Sequence, residues 1–491
     1  MFASSTTVAM PTRARTRIVP NMPFGLLLCM ALLSNFFVTG GHDRQRMLEV
    51  AVLTAVAAAA VATAAMRGAT SLFDAPASKP LAIFFLLGIL GSAHAFSPSH
   101  ALFEVAIFFL LYLFAQLIAS EIARDGNAGL LALVHVMAIV CALYSVQFWV
   151  AYVAGFALGI PLSVDDFALP FANIRFFNHT QTATLPLLIL LCCVTPRQSR
   201  LRLLWWSLSA YWWMAIFATT GRGTLVGMVA GCVVVAVLRR RLAIPYIKAA
   251  VLSAVLGLLA YAVFLVVIPC LTGGTAFGSF AAAVERTAAD PASNRLVLWH
   301  RAIELILHHP WFGVGPMHFA HNAGDLHTGA HPHDWIMQIA SEWGIPAFLC
   351  LCAALACACR ALLRTGNKLP VEDRLNQNIC SALVAGAAAI LVDGLVSGLF
   401  VMPQSQLAIS LFLGCAIGWC GANAGSVPGM VRPSGAQRVV GAIPIIAAAA
   451  CLVIVVWPDA AARYNGDALR PAQEALNGGV NWPRLWHAGF F

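Results

Sequence analysis

The sequence predicts an all-α polytopic membrane protein of about 12–13 transmembrane helices, with one long outer loop that contains an amphipathic helix. Three observations predict it. Of 491 residues, 60% are hydrophobic and only 10% charged, with a mean hydropathy of +0.82, whereas a soluble domain carries about 25% charged and 45–50% apolar residues. The apolar residues fall in runs of about 18–25, the length a helix needs to cross a roughly 30 Å hydrocarbon core. The basic residues collect in short loops between those runs, the bias that orients a membrane chain. A water-soluble enzyme and a disordered tail are excluded.

The elements follow in order. Residues 1–19 are polar, with Arg13, Arg15 and Arg17 ahead of the first apolar run. No convincing A-x-A site follows, so this segment reads as a cytoplasmic N-terminus before an uncleaved span. Spans are expected to begin near Pro23, Leu48, Pro80, Ala101, Gly129, Thr182, Leu203, Gly223, Ile247, Asp334, Ile379, Gln406 and Val439. That places about nine helices in 20–270, an outer loop over 271–333, about four helices in 334–457 and a C-terminal tail, 458–491, on the outer side.

Charge sets the orientation. Arg197, Arg200 and Arg202 form one loop, Arg239, Arg240 and Arg241 with Lys248 the next, and Arg360, Arg364, Lys368 and Arg374 a third. These alternate correctly with the spans when all three are cytoplasmic. Arg44 and Arg46 then fall on the outer side, against the rule. The net charge of +9 is thereby explained by membrane orientation. Nucleic acid is not a partner on this reading, because no basic stretch is interleaved with stacking aromatics. The 14 cysteines lie mostly inside apolar runs, where free Cys behaves as a small hydrophobe. No CxxC pair has a matching partner for a disulfide framework or structural zinc.

The outer loop concentrates the chemistry. Asp290-Pro291 reads as a helix start. Leu296, Trp299, Ile303 and Ile306 then recur at helical spacing up to His309-Pro310, with the apolar face against the bundle or the membrane surface. Arg295 falls near the positive end of this helix, so it implies either an anionic partner or a structural salt bridge. Eight of the fourteen histidines lie here: His300, His308, His309, His318, His321, His327, His331 and His333. His318 with His321, and His331 with His333, have chelating spacings, but neither matches a standard zinc motif, so no metal is assigned. A second cation, Arg222 in Thr219-Thr220-Gly221-Arg222-Gly223-Thr224, stands at the outer boundary of two apolar runs. Its alternatives are a functional role or snorkelling to headgroups. Asp393, in the outer half of a later span, is read first as interhelical glue and otherwise as a partner for Arg222.

These residues together resemble the O-antigen ligase and polymerase superfamily of bacterial envelope glycosyltransferases. The resemblance rests on Thr220-Gly221-Arg222-Gly223-Thr224, on Asn294-Arg295 with Trp299, and on His309-Pro310-Trp311-Phe312-Gly313-Val314-Gly315. It closes with His331-Pro332-His333-Asp334 and Glu342-Trp343-Gly344. It spans roughly residues 170–425. The resemblance implies about twelve spans under a periplasmic lid in a Gram-negative inner membrane. It implies a donor glycan on undecaprenyl pyrophosphate and a transfer needing no cofactor, metal or nucleotide sugar. By position, Arg222 and Arg295 match the family's two essential arginines and His333 its essential histidine. Asp334 departs from the pattern, standing where Asn or a similar small polar residue usually follows the histidine.

The chemistry agrees. Breaking a sugar–pyrophosphate bond builds negative charge that a guanidinium neutralises bidentately, and a sugar hydroxyl needs a general base to become a nucleophile. His333 is expected to act as that base and Arg222 and Arg295 to hold the pyrophosphate. Arg175 is a further phosphate candidate, and His331 is expected to shape the loop. The acceptor is expected to be a hydroxyl of lipid A–core, and membrane lipids surround the chain. A polymerase of exported polysaccharide and a protein O-oligosaccharyltransferase are the alternatives that share the donor. A lipid-linked glycan transporter is the rival from another class, but it calls for broken helices or charges at the bilayer midplane and a repeat relating two halves. Here the ionisable groups gather at the outer face.

Overall fold

A computed structural model describes residues 42–67, 77–168, 171, 173–273, 276–277, 295–326, 329–424 and 435–464. The span expected from Pro23, the helix start at Asp290-Pro291, Asn294 and the tail beyond 464 lie outside the described residues. The principal helices are α1 (His42–Arg67), α2 (Ser78–Ser92), α3 (Pro98–Leu158), α4 (Ile174–Val194), α5 (Arg200–Thr219), α6 (Arg222–Arg239) and α7 (Ile244–Tyr261). After the outer loop come α8 (Arg295–His308), α9 (Trp335–Trp343), α10 (Ile345–Lys368), α11 (Arg374–Asp393), α12 (Pro403–Asn423) and α13 (Gly435–Tyr464). No strand occurs among the described residues. Eight helical stretches are long and apolar enough to cross a membrane. Two of them hold more than one run: α3 is interrupted at Gly126, and Arg222–Leu271 contains α6, a turn over 240–243 and α7 with its π-helical extension Ala262–Val267. The protein is an all-α, polytopic membrane protein.

The helix α4 is the centre of the bundle. Nearly every side chain from Phe176 to Cys192 is buried, although its first turns read Asn178-His179-Thr180-Gln181-Thr182. That polar run is why its span was expected only from near Thr182; the helix begins eight residues earlier. Buried hydrogen bonds compensate the polar side chains. Gln181 donates to the Trp212 carbonyl at 2.9 Å, and the Trp212 indole donates to Thr184 at 3.0 Å.

Helix approach in lipid is governed by small residues, since tails are as apolar as leucine. Gly223, Gly227 and Gly231 form a stripe at four-residue spacing along α6, facing Asp393, Ala389 and Ala385 of α11. A Cβ on Gly227 would lie 2.7 Å from the Ala389 carbonyl oxygen, and one on Gly231 2.4 Å from that of Ala385. Gly231→Ala is therefore expected to force the two helices apart. Thermal melting of the purified protein should register a loss of about 1–3 kcal/mol, the usual cost of overpacking.

The single span expected from Asp334 is divided in two. Gly344, with φ +85°, reverses the chain between α9 and α10, where a Cβ would lie 2.3 Å from the Trp311 carbonyl oxygen. Pro346 then begins the new helix, the position at which its missing N–H costs nothing. The helix α9 is anchored by Trp343, which is fully buried and stacked on Phe84 of α2 at 4.4 Å. The amphipathic helix α8 also differs from expectation in its buried face. Leu298, Ala302 and Leu305 pack on Phe319 and Ala323 of the following turn, while Leu296, Ile303 and Leu307 stay exposed. Arg301 sets this rotation by pairing both nitrogens with Asp325, at 3.0 and 2.8 Å.

The two ends of the bundle are tied by arginines. At one end Arg239 bonds Asn367 and Gln377. At the other, Arg46, only 3% exposed, pairs with Glu49 and donates to Gln406 at 2.8 Å and to the Val401 carbonyl at 2.6 Å. Arg46 is thus an internal clamp on the α11–α12 connection and not a loop charge, so it does not count in the charge bias of the loops.

Candidate active site

One end of the bundle is built from four segments. The first is the turn between α5 and α6. Thr220 adopts φ +52°, an outlier for a β-branched residue, and so reverses the chain after one residue. Gly221 packs on Asn178, and a Cβ on Gly223 would lie 2.3 Å from Asp393 Oδ1. Thr224 donates to the Asn178 carbonyl at 2.9 Å. Both glycines therefore permit close approach to α4 and α11, and Arg222, exposed at the start of α6, stands between them.

The second segment is the start of α4. Arg175, partly buried, donates from Nη1 to the carbonyls of Thr219 at 3.1 Å and Thr220 at 2.8 Å. A cation there sits on the negative end of α5 and holds the turn that carries Arg222. The third is the end of α11. Asp393 is fully buried and accepts from the Thr182 hydroxyl at 2.5 Å. Thr182 in turn lies 2.8 Å from the Thr224 hydroxyl, so α4, α6 and α11 are joined through Asp393.

The fourth segment carries the histidines. His331, 1% exposed, packs on Gly398, and its Nδ1 accepts from the backbone N–H of His333 at 3.2 Å. The two rings lie 4.0 Å apart. His333 itself has φ +57°, a left-handed conformation that is held from both sides. Before it, the Trp299 indole donates to the Pro332 carbonyl at 3.0 Å. After it, Asp334 Oδ1 accepts from the N–H groups of Ile336 at 2.8 Å and Met337 at 3.1 Å, capping α9. Asp and Asn cap about equally well, so the departure at Asp334 leaves the local geometry intact. Trp335 completes the staple by donating to the carbonyls of Gly394 at 3.0 Å and Leu391 at 3.3 Å.

Arg295, at the start of α8, acts across these segments. Its charge reaches His333, His179 of α4 and Asp393. Burial, reinforced by Arg295, lowers the His333 imidazole from 6.5 to about 4. The ring is therefore neutral at physiological pH and able to accept a proton. The geometry brings Arg295, His333, His331, Asp393 and Arg175 to one end of the bundle, beside the turn that bears Arg222.

The remaining histidines divide otherwise. His318 spends both nitrogens on the backbone: Nε2 accepts from Ser97 N–H at 2.9 Å, so Nδ1 donates to the Pro316 carbonyl at 2.7 Å. His321 stacks on Phe96 at 4.1 Å, and His300 lies 3.3 Å from Glu304. His327 lies outside the described residues. Sequence reasoning missed His179, and it quoted Trp299 and Glu342 as motif residues without assigning either a role. The buried carboxylate of Glu342 accepts from Phe319 N–H at 2.9 Å and holds the turn beneath α8. The signal for His179 was the polar run that opens an otherwise apolar helix.

Trp299→Phe keeps the ring but removes the bond to Pro332. With the left-handed His333 held from one side only, the activity carried by this site is expected to fall about tenfold, a loss of about 1.4 kcal/mol. The protein should accumulate normally, as an immunoblot of the same cells will register.

Residues 206–352 match the family model described as O-antigen ligase (Wzy_C). No curated protein matches the chain. The matched segment runs from within α5 into α10 and includes Arg222, Arg295, His331 and His333. Over this segment the chain is similar to the O-antigen ligase family.

Proposed function

We propose that this chain belongs to the O-antigen ligase superfamily and is a glycosyltransferase that moves a glycan en bloc from undecaprenyl pyrophosphate to a hydroxyl of lipid A–core, on the periplasmic side of a Gram-negative inner membrane. One observation carries the reading. Two cations and an imidazole, spread over more than a hundred residues of sequence from Arg222 to His333, belong to segments at one end of the bundle, and the charge of Arg295 reaches His333.

The proposed reaction is a single in-line displacement. The acceptor oxygen attacks the anomeric carbon as its proton passes to His333. The bond from that carbon to the phosphate oxygen breaks, and its electron pair stays with the departing undecaprenyl pyrophosphate. One displacement inverts the anomeric configuration. Arg222 and Arg295 neutralise the charge that develops on the leaving group, and preorganised charge of this kind is usually the largest catalytic contribution. Arg175 holds the turn from which Arg222 projects, His331 sets the His333 backbone, and Asp393 keeps α4, α6 and α11 together behind them. No step in this scheme calls for a metal.

The test is removal of the gene followed by analysis of envelope glycans. Free lipid-linked polymer with bare core supports the ligase. Single repeat units on core identify a polymerase with the same donor, and loss of glycan from a secreted or pilin-like protein identifies a protein O-oligosaccharyltransferase. Unchanged glycans overturn the whole reading.

A further inference from the structure

One imidazole in this cluster has no part in the scheme above. His179 lies on the second turn of α4, only 6% exposed, and its Nδ1 has no hydrogen-bond partner among the described residues. The polar side chains around it are committed to the bundle. Asn178 Nδ2 bonds Gln181 and Thr219 at 2.9 and 2.8 Å, Thr180 bonds the Phe176 carbonyl, and Thr182 bonds Asp393. A buried polar nitrogen left without a partner is costly, and native structures pair nearly all of them.

The surroundings identify what would pair with it. His179 lies within electrostatic reach of Arg175, Arg295 and His333. A position in the combined field of two guanidinium groups, one of them a single helical turn away on α4, attracts an anion, and an imidazole N–H donates to an anionic oxygen with the strength of a charge-assisted bond. We propose that His179 is a further binding residue of this site, its ring N–H donating to a phosphate oxygen of the lipid-linked diphosphate beside Arg295. This inference rests on the donor class assigned above. It adds a neutral donor to the two cations, from a helix that lies outside the segment matching the family.

The experiment uses glycan-free undecaprenyl pyrophosphate as probe and the full chain in lipid nanodiscs. His179→Leu is expected to weaken probe binding about tenfold and to raise the donor KM by a similar factor, the size of one hydrogen bond to a charged group. The acceptor KM should not move, a split that a merely structural role would not produce. His179→Asn, which keeps an N–H donor close to the position of ring Nδ1, should recover most of the affinity. If the leucine variant does not fold, His179→Phe preserves ring volume without a donor and makes the same comparison. Wild-type affinity in a folded donorless variant, or a change in acceptor KM alone, overturns the inference and leaves the proposed function standing. Failure of the wild-type protein to bind the probe overturns both.

Discussion

Replacing His333 by alanine is expected to abolish glycan transfer while the protein accumulates at its normal level. General-base catalysis contributes typically about 10²–10⁴-fold, and the sugar hydroxyl is too weak a nucleophile to react at a useful rate without it. Alanine at φ +57° also carries backbone strain of about 1–2 kcal/mol, so a second variant separates chemistry from folding. His333→Asn places a residue that tolerates the left-handed region but has no basic nitrogen. Both variants should lose transfer when tested by complementation of a deletion strain and with purified protein. Near-normal transfer by the asparagine variant would refute the base role, whatever the alanine variant does.

Substituting Arg295 by glutamine is expected to have two separable consequences. The first is a fall in transfer of about 10²–10³-fold, the usual loss when one preorganised charge stabiliser is removed. The second is a displaced pH profile. Burial lowers the His333 imidazole to about 4 and Arg295 contributes to the same shift, because a neighbouring cation disfavours the imidazolium. The wild-type kcat/KM, which reports the free enzyme, should therefore stay level as pH falls from 8 to about 5 and drop only through about 4. Without the guanidinium the imidazole protonates more readily, so the residual activity of Arg295→Gln should begin to fall at a higher pH. Arg295→Lys retains the charge but not the planar fork; it should lose rate while keeping the wild-type acid limb. An acid limb in Arg295→Gln that coincides with the wild type would show that the two side chains are not coupled. The kcat profile should fall at a higher pH than that of kcat/KM, since a bound anionic diphosphate favours the imidazolium.

These two variants probe residues that were legible in the sequence for different reasons. Arg222 stood out because a cation at the boundary of two apolar runs is expensive and rarely idle, whereas His333, one of eight histidines in its loop, was singled out by the family resemblance. Arg295 stood out because it occupies the wrong end of a helix dipole. The matching of the central segment to one family follows the same blocks of residues. What pattern reading misplaced is equally specific. The start of α4 was set eight residues late because Asn178, His179, Thr180 and Gln181 look like loop residues; the buried bonds of Asn178, Gln181 and Thr182 to α5, α6 and α11 make the polar run tolerable inside a helix. The break at Gly344 was hidden by apolar residues on both sides, and it is the close passage of Trp311 that demands it. The buried face of α8 was misassigned because its covering surface, Phe319 and Ala323, is contributed by a turn that no periodicity announces.

The all-α polytopic membrane class was determined by the sequence alone, as was the identity of the charged residues that border its apolar runs. They follow from local quantities: the hydropathy of a run, the length of a run and the sign of the loops. Which of those residues meet, and with what neighbours, was decided only by tertiary structure. The glycine stripe of α6 sets Gly223, the neighbour of Arg222, against Asp393, and the Trp299 and Asp334 bonds hold His333 in its left-handed turn. Burial then makes His333 a neutral acceptor and brings His179 into the same field. Desolvation and close helix approach depend on the whole bundle, and no window of residues carries them.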